Sequence, residues 1–348
     1  MKQSKHNIYY SPKEVRTILE RSIDTALDGL KCYCNDPVSD FTRCRKLPAR
    51  SLIECIMSFS NYSSIGELSH FFVGQGEMPS ASALSQRRQL LDPDIFKRIN
   101  NLFVSAFDDH TTINGYHILA QDGSDVNIPF MDDKTKTEKH DAKSFCQYHV
   151  NALYDCLNKV FYDWSIDAAS KKREVNALIS ILKDRNYPQN SIFTADRGYE
   201  SYNLMAHFIE NDIKFVIRVK DIHTKSGLMT NIKTEEGAFD IRVTRTLTSL
   251  QTKEIKADKE KYIFVPSTSN FDFLDETRDL YDLSFRAVRF KISEDTYETV
   301  VTNLSEEEFK TEDFKELYHY RWNEETAFNK LKYTIGLVYF HARKRKLI

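Results

Sequence analysis

Four side chains near the C-terminal end of the sequence recur at a helical spacing. Tyr318, Arg321, Glu325 and Lys332 stand at offsets of 0, +3, +7 and +14, which at about 100° per residue places them within a sector of roughly 60°. A carboxylate between two cations suits a site that holds a metal ion beside a phosphodiester, because the carboxylate binds the ion and the cations neutralise the phosphate. The alternative is a solvated helix face with ordinary charge pairs.

An uninterrupted helix is expected to carry these four residues. No Pro or Gly occurs from Thr311 to Ile335, and the intervening Glu, Ala and Leu residues favour helix. The spacing therefore predicts one helix that presents a phenol, a guanidinium, a carboxylate and an ammonium along roughly four turns.

Two further acidic residues follow short apolar runs. Asp122 comes after Ile118–Gln121 and Asp196 comes after Ser191–Ala195, each with a glycine just beyond it. This pattern predicts buried strands that each deliver an Asp at the C-terminal end, although either Asp alone is also a common turn residue. With Glu325 they make three carboxylates on separate elements, a set that can hold two Mg²⁺ ions.

These pieces, in this order, resemble the DDE transposases of bacterial insertion sequences, in particular the group with the YREK signature (the insertion-sequence-four-like family). The resemblance lies in Asp122-Gly-Ser, in Asp196-Arg-Gly-Tyr and in the run from Tyr318 to Lys332. It extends to Asp40-Phe-Thr-Arg and Pro79-Ser-Ala-Ser, so it covers the chain from about residue 40 to its last residue. The signature run is its most specific part.

The resemblance implies an α/β fold, with an RNase H-like mixed sheet and flanking helices, an all-helical N-terminal domain and a β-rich insertion domain. Helical periodicity up to about residue 112 and period-two alternation between 221 and 300 agree with it. The expected division is a helical DNA-binding domain at 1–112, the first part of the catalytic domain at 113–220, the insertion domain at 221–300, and the second part of the catalytic domain, with the Glu helix, at 301–348.

The activity implied is cleavage of DNA at insertion-sequence ends followed by strand transfer, both by metal-assisted phosphoryl transfer. Asp122, Asp196 and Glu325 would be the catalytic residues and would hold two Mg²⁺ ions, with Mn²⁺ as a substitute. The residues expected to contact DNA are Tyr318, Arg321 and Lys332 of the signature, Arg218 and Lys220 at the end of a strand, and Arg43, Arg45 and Lys46 in the N-terminal region. The expected partner is double-stranded DNA, on which a homodimer assembles.

Composition agrees with this class. A hydrophobic content of 41% and a charged content of 29% are typical of a globular protein. No apolar stretch is long enough for a membrane span, so we expect a cytoplasmic, nucleoid-associated protein. The net charge of −2 is low for a DNA-binding protein, but local clustering of basic groups decides contact with phosphates.

The C-terminal end raises a second hypothesis. Relatives continue for several helices beyond the signature, whereas this sequence stops at Ile348, so we expect a C-terminally truncated chain. The alternative function is a catalytically impaired remnant that only binds DNA. A plain RNase H-like nuclease would not need the segment 221–300.

Overall fold

The N-terminal part of the protein is helical. The computed structural model describes residues 1–4, 10–43, 45–107, 110–139, 142–169, 173–224, 226–266, 268–342 and 344–348. The N-terminal helices are α1 (Pro12–Asp28), α2 (Ala49–Met57), α3 (Ser64–Phe71), α4 (Ala81–Arg88) and α5 (Asp94–Ser105). Serine side chains cap α1, α3 and α4, because Ser11, Ser63 and Ser80 accept backbone N–H groups of the first turns. Apolar residues such as Leu52, Leu68 and Ile95 form the core between these helices.

A large mixed sheet follows the helices. Its strands are β3 (His117–Ile128), β4 (Lys136–Lys139), β5 (Ala142–Asp155), β6 (Val160–Ala168), β7 (Ser191–Ala195), β8 (Lys214–Val219), β9 (Phe239–Thr248), β10 (Tyr262–Phe264), β11 (Leu280–Ser293) and β12 (Thr296–Thr302). The strand order is β10-β9-β11-β12-β8-β7-β3-β5-β4, and β6 also pairs with β5. The short strands β1 (Gln3–Ser4) and β2 (Thr112–Ile113) pair separately and join the start of the chain to the end of the helical part.

Helices cover both faces of the sheet. Successive side chains of a strand point to opposite faces, and β3 shows this: Leu119 belongs to one core, while Ile118 and Ala120 belong to the other. The first core includes residues of α6 (Glu174–Asp184) and α7 (Tyr202–Glu210). The short helix α8 (Lys253–Ala257) lies between β9 and β10, and the second core includes residues of α9 (Asp313–His319). The protein is therefore a mixed α/β protein with a central sheet and flanking helices.

The segment 221–300 differs from its expected arrangement. It is rich in strands, as its alternation predicts, but β9, β10, β11 and β12 continue the central sheet. The junction is the antiparallel pairing of β12 with β8, in which Val301 lies opposite Ile217. Because the ladder is continuous there, these strands do not form a sheet of their own, and the exact domain boundaries remain a prediction.

The expected single helix at 311–335 is also interrupted. It consists of α9, α10 (Trp322–Asn329) and a π-helical segment (Lys330–Ile335). At the junction the hydrogen bonds span three residues, from Arg321 N–H to Tyr318 O at 3.1 Å and from Glu324 N–H to Arg321 O at 3.0 Å. These tighter turns separate α9 from α10, and Gly336 ends the run with φ of 96°.

The last residues pack against the helical part and the β3–β4 connection. His341 Nε2 lies 2.9 Å from Oε1 of the buried Glu67 in α3, and Arg345 Nε donates to Asp133 Oδ2 at 2.7 Å. These contacts connect the segment after the signature to both other parts of the protein. None of the helices in the described ranges has the length and apolar character of a membrane span.

Candidate active site

Asp122 and Asp196 lie next to each other on neighbouring parallel strands. The register pairs Gln121 of β3 with Ala195 of β7, so the two aspartates occupy the next position on each strand path. Asp196 directly follows β7, as expected, and its side chain accepts the Gly198 N–H at 2.7 Å. Asp122 does not end its strand, contrary to expectation, because β3 continues to Ile128 in pairing with β5.

The surroundings of Asp122 disfavour its charged form. Burial is the main cause that raises the pKa of Asp122, and the neighbouring carboxylates of Asp196 and Glu174 raise it further. The guanidinium of Arg321 acts in the opposite direction. Burial therefore outweighs the Gly123 N–H hydrogen bond and the charge of Arg321, which both favour the carboxylate.

Arg321 joins the signature helix to Asp122. Its Nη2 donates to Glu325 Oε1 at 2.9 Å, and its Nη1 lies 3.8 Å from Asp122 Oδ2. The residue is only 3% exposed, and its guanidinium carbon is 5.6 Å from the ring centroid of Tyr318 and 4.8 Å from that of Trp322. Burial opposes the charge, but Tyr318, Glu325 and Asp122 together raise the pKa of Arg321. Asp122 and Glu325 therefore approach each other through a shared buried cation.

The other two signature residues make internal contacts. Tyr318 is buried, and burial raises its pKa to about 12; its hydroxyl finds no hydrogen-bond partner among the described residues. Lys332 Nζ donates to the main-chain oxygen of Asp125 at 2.7 Å. Burial lowers the pKa of Lys332, and the charge of Asp125 acts against that shift. Arg321 and Lys332 thus contact β3 through Asp122 and Asp125, and Glu325 lies beside Arg321.

The remaining expected DNA contacts are spread over two regions. Arg218 Nη2 lies 3.1 Å from Glu298 Oε1 on the adjacent strand, and Lys220 is exposed just beyond β8. Arg43, Arg45 and Lys46 are exposed in the segment before α2, where Lys46 pairs with Glu77. The N-terminal basic residues therefore belong to the helical part, separate in the fold from the strands that carry the carboxylates.

Glu324 is a site residue that the sequence pattern missed. It is fully buried, and its Oε1 accepts the backbone N–H of Asp122 at 3.1 Å. Burial, followed by the charge of Asp122, raises the pKa of Glu324 well above its ordinary value. The spacing of the signature selects Glu325 and gives no reason to examine its neighbour, which lies about 100° away around the helix.

Three more polar residues lie beside Asp122 and were also missed. His149 of β5 is fully buried, with Nδ1 2.6 Å from Asp125 Oδ1 and Nε2 3.1 Å from Glu174 Oε1. His149 and Asp125 are directly opposite in the β3–β5 register. A cross-strand pairing of these two sequence segments would have suggested the contact, but register is not visible in the sequence alone.

The residues that would hold a metal ion are not gathered into a single cage. Within the described ranges, no group of three or more His, Cys, Asp and Glu side chains is arranged to hold one. Arg321 lies where Asp122 and Glu325 approach each other and neutralises both. The chemistry of the donor set nevertheless fits a hard cation, because carboxylate oxygens predominate around Asp122.

The protein has a mixed α/β fold. Its candidate site has acidic side chains at adjacent strand positions and on a packed helix. Residues 113–347 match the family model described as the transposase DDE domain, and the chain belongs to this family. Among solved structures, the chain is similar to the piggyBac transposase in a cryo-EM synaptic complex with hairpin DNA, at 10% identity and a TM-score of 0.42, over 97% of this chain and 68% of that chain. None of the curated proteins compared with the chain matches it.

Proposed function

We propose that this protein is a transposase of the YREK group, which cleaves DNA at the ends of an insertion sequence and joins the freed ends to a target. The observation that carries the proposal is that Asp122 lies beside Asp196 at the end of the parallel register of β3 and β7 and approaches Glu325 through their shared partner Arg321. Membership of the transposase DDE family supports the same conclusion.

We assign the catalytic part to the RNase H-like class on its strand arrangement. The strands β6, β5 and β3 are antiparallel neighbours, and β7 and β8 follow in parallel with β3. Asp122 lies on β3, the middle strand of this set, and Asp196 directly follows β7, the parallel neighbour of β3. Ligands of open α/β sheets commonly bind beyond the carboxyl ends of such parallel strands.

The proposed cofactor is a pair of Mg²⁺ ions, for which Mn²⁺ can substitute. Asp122, Asp196 and Glu325 would hold them, and a bound cation would stabilise the charged form of Asp122, whose pKa is raised mainly by burial. When bound, such ions supply charge neutralisation and activation of the attacking oxygen. The protein contributes positioning, through the parallel pairing of β3 with β7 and the packing of α10 against β3.

The cations of the site would exchange partners when DNA binds. Arg321 pairs with Glu325, Lys332 with the Asp125 carbonyl and Arg218 with Glu298. A phosphate offers each of them a stronger charge-assisted acceptor. Lys220 is already exposed and needs no exchange. Tyr318 would donate its hydroxyl to a phosphate, which requires that this buried side chain becomes accessible.

The N-terminal helical part is proposed to provide further DNA contacts. Arg43, Arg45 and Lys46 are exposed before α2 and would bind phosphates irrespective of sequence. A homodimer assembled on the DNA is proposed as the active form, in which each subunit supplies one set of carboxylates.

Replacement of Glu325 tests the proposal. Glu325→Gln keeps size and the acceptor for Arg321 but removes one negative charge, so Mg²⁺-dependent cleavage of a duplex carrying the inverted repeats that flank the gene should fall by orders of magnitude. DNA binding, measured by fluorescence anisotropy, should stay within about threefold because it rests on basic groups. The matched control is Glu316→Gln, on the exposed side of α9, which should cleave as the wild type does.

Two results would contradict the assignment. Full cleavage by Glu325→Gln would remove Glu325 from the catalytic set. Tight binding without any cleavage by the wild-type protein would instead favour the alternative, a remnant that only binds DNA.

A further inference from the structure

Glu174 lies between the two segments that carry Asp122 and Asp196. It is the first residue of α6. A Cβ atom on Gly123 would lie 2.8 Å from its Oε1, and a Cβ atom on Gly198 would lie 3.7 Å from its Oε2. Gly123 directly follows Asp122 and Gly198 is two residues after Asp196. The carboxylate of Glu174 therefore occupies space that Gly123 leaves open, and it lies at contact distance from the Gly198 position.

A buried histidine fixes this carboxylate. His149 Nε2 is 3.1 Å from Glu174 Oε1, and His149 Nδ1 is 2.6 Å from Asp125 Oδ1. The imidazole is fully enclosed, and a Cβ atom on Gly123 would overlap it. Asp125 is fixed in turn, because Lys332 Nζ donates to its carbonyl. The chain of contacts thus runs from the signature lysine to Glu174.

The position of Glu174 makes it part of the electrostatics of the site. Its charge raises the pKa of Asp122, as does that of Asp196, after the larger contribution of burial. The fully buried Glu324 lies behind Asp122. Its Oε1 accepts the Asp122 N–H, and its Oε2 has no hydrogen-bond partner among the described residues. A buried carboxylate oxygen without a hydrogen-bond partner, beside other carboxylates, points to a ligand of positive charge.

We infer that Glu174 is a fourth acidic residue of the active site, which shares in binding the divalent cation, and that His149 and Asp125 are positioning residues for it. The inference rests on the proposed function, because it adds one carboxylate to the cation site proposed for Asp122 and Asp196. It also gives Gly123 a role, since a side chain at that position would displace His149 and Glu174.

A purely structural ion pair is the competing explanation. Asp125, His149 and Glu174 connect β3, β5 and α6, and such a tie stabilises a fold without any ligand. The two explanations differ in the response to cations. A structural tie affects unfolding alone, whereas an active-site carboxylate affects the affinity for Mn²⁺ in the absence of DNA.

The test is a calorimetric titration of the full-length protein with Mn²⁺, without DNA, for wild type and Glu174→Gln. Loss of the carboxylate should weaken Mn²⁺ binding at least tenfold. His149→Asn should weaken it less but measurably, because residues that orient metal ligands typically contribute about 10-fold to 100-fold in affinity. Glu67→Gln is the matched control, since Glu67 is also a buried glutamate paired with a histidine, at 2.9 Å, in the helical part. Its Mn²⁺ affinity should equal that of the wild type.

The outcomes separate the inference from the proposed function. Equal Mn²⁺ affinity of Glu174→Gln and wild type, with cleavage by both, would overturn the inference and leave the proposed function intact. Absence of both Mn²⁺ binding and metal-dependent cleavage in the wild type would overturn the proposed function and the inference with it. If Glu174→Gln does not fold, Glu174→Asp is titrated instead; it keeps the charge but shortens the side chain, and an affinity equal to that of the wild type would again overturn the inference.

Discussion

Replacement of Arg321 by Gln should destabilise the protein in a way that an exposed arginine cannot. Arg321 is 3% exposed and contacts Glu325 at 2.9 Å and Asp122 at 3.8 Å. Gln keeps the packing of the side-chain stem but removes the only cation recorded in the described structure within 4 Å of Asp122. Two carboxylates are then left close together without their shared partner.

The magnitude follows from the burial of the three groups. Removal of one partner of a fully buried ion pair costs about 3–5 kcal/mol. The side chains of Glu325 and Asp122 are 40% and 25% exposed, and solvent screens them, so about 2–3 kcal/mol is expected. With an unfolding entropy of about 2.1 cal/mol/K per residue, the 348-residue chain has about 0.7 kcal/mol/K, and Tm should fall by about 3–4 °C.

The assay is thermal unfolding at pH 7 without divalent cations, followed by circular dichroism. Arg16→Gln is the matched control, since Arg16 forms the same i,i+4 pair with Glu20 at 3.0 Å on an exposed surface of α1. Its loss should cost about 0.3–0.5 kcal/mol. The double variant with Glu325→Gln should recover part of the loss, because it removes one of the stranded charges.

Equal Tm changes for Arg321→Gln and Arg16→Gln would refute this reasoning. The signature helix would then present an ordinary solvated face, and the contact between Arg321 and Asp122 would carry no energy. Recovery of Tm by millimolar Mg²⁺ in Arg321→Gln, beyond that seen in the wild type, would indicate that a metal ion and the guanidinium compete for the same carboxylates.

Two further predictions concern the residues behind Asp122. Because the pKa of Glu324 is raised above its ordinary value of 4.5 in the folded protein, the wild type should lose stability as pH rises between the two pKa values. Glu324→Gln keeps an acceptor for the Asp122 N–H, so its stability in urea should depend less on pH between pH 5 and pH 8. An unchanged slope of stability against pH would contradict this. Gly123→Ala should cost about 1–3 kcal/mol by displacing His149, and the cost should shrink in the double variant with His149→Ala, whereas strictly additive losses would show that the methyl group does not meet the imidazole.

The sequence predicts local structure well where the signal is local. Helical periodicity up to about residue 112 predicts an all-helical part, which α1 to α5 form, and a capping box of Ser11 and Glu14 begins α1. Asp196 is correctly expected at a strand end, because the run at Ser191–Ala195 is short and a glycine follows it shortly afterwards. In each case the residues that decide the structure lie within a few positions of one another.

Asp122 shows where local signals mislead. Gly123 and Ser124 are typical turn residues, so the pattern predicts that the strand ends there. In the structure β3 continues, since its register with β5 extends from Leu119 to Ile128. The glycine serves another purpose: it leaves room for the His149 imidazole and the Glu174 carboxylate. Glycine occurs both in turns and where another group approaches the backbone closely, and only its neighbours in the fold distinguish the two cases.

The acidic centre shows what spacing along one helix cannot provide. The signature selects Glu325 because it shares a stripe with Arg321 and Lys332, and in the structure these two cations contact β3 while Glu325 pairs with Arg321. Glu324 lies one position earlier, outside that stripe, and its side chain accepts the backbone N–H of Asp122. Glu174 comes from a helix between β6 and β7 and reaches Asp122 only because β3 and β7 are parallel neighbours. A motif therefore identifies the residues of one element, whereas the full set of charges around Asp122 is a property of sheet topology and has to be read from the fold.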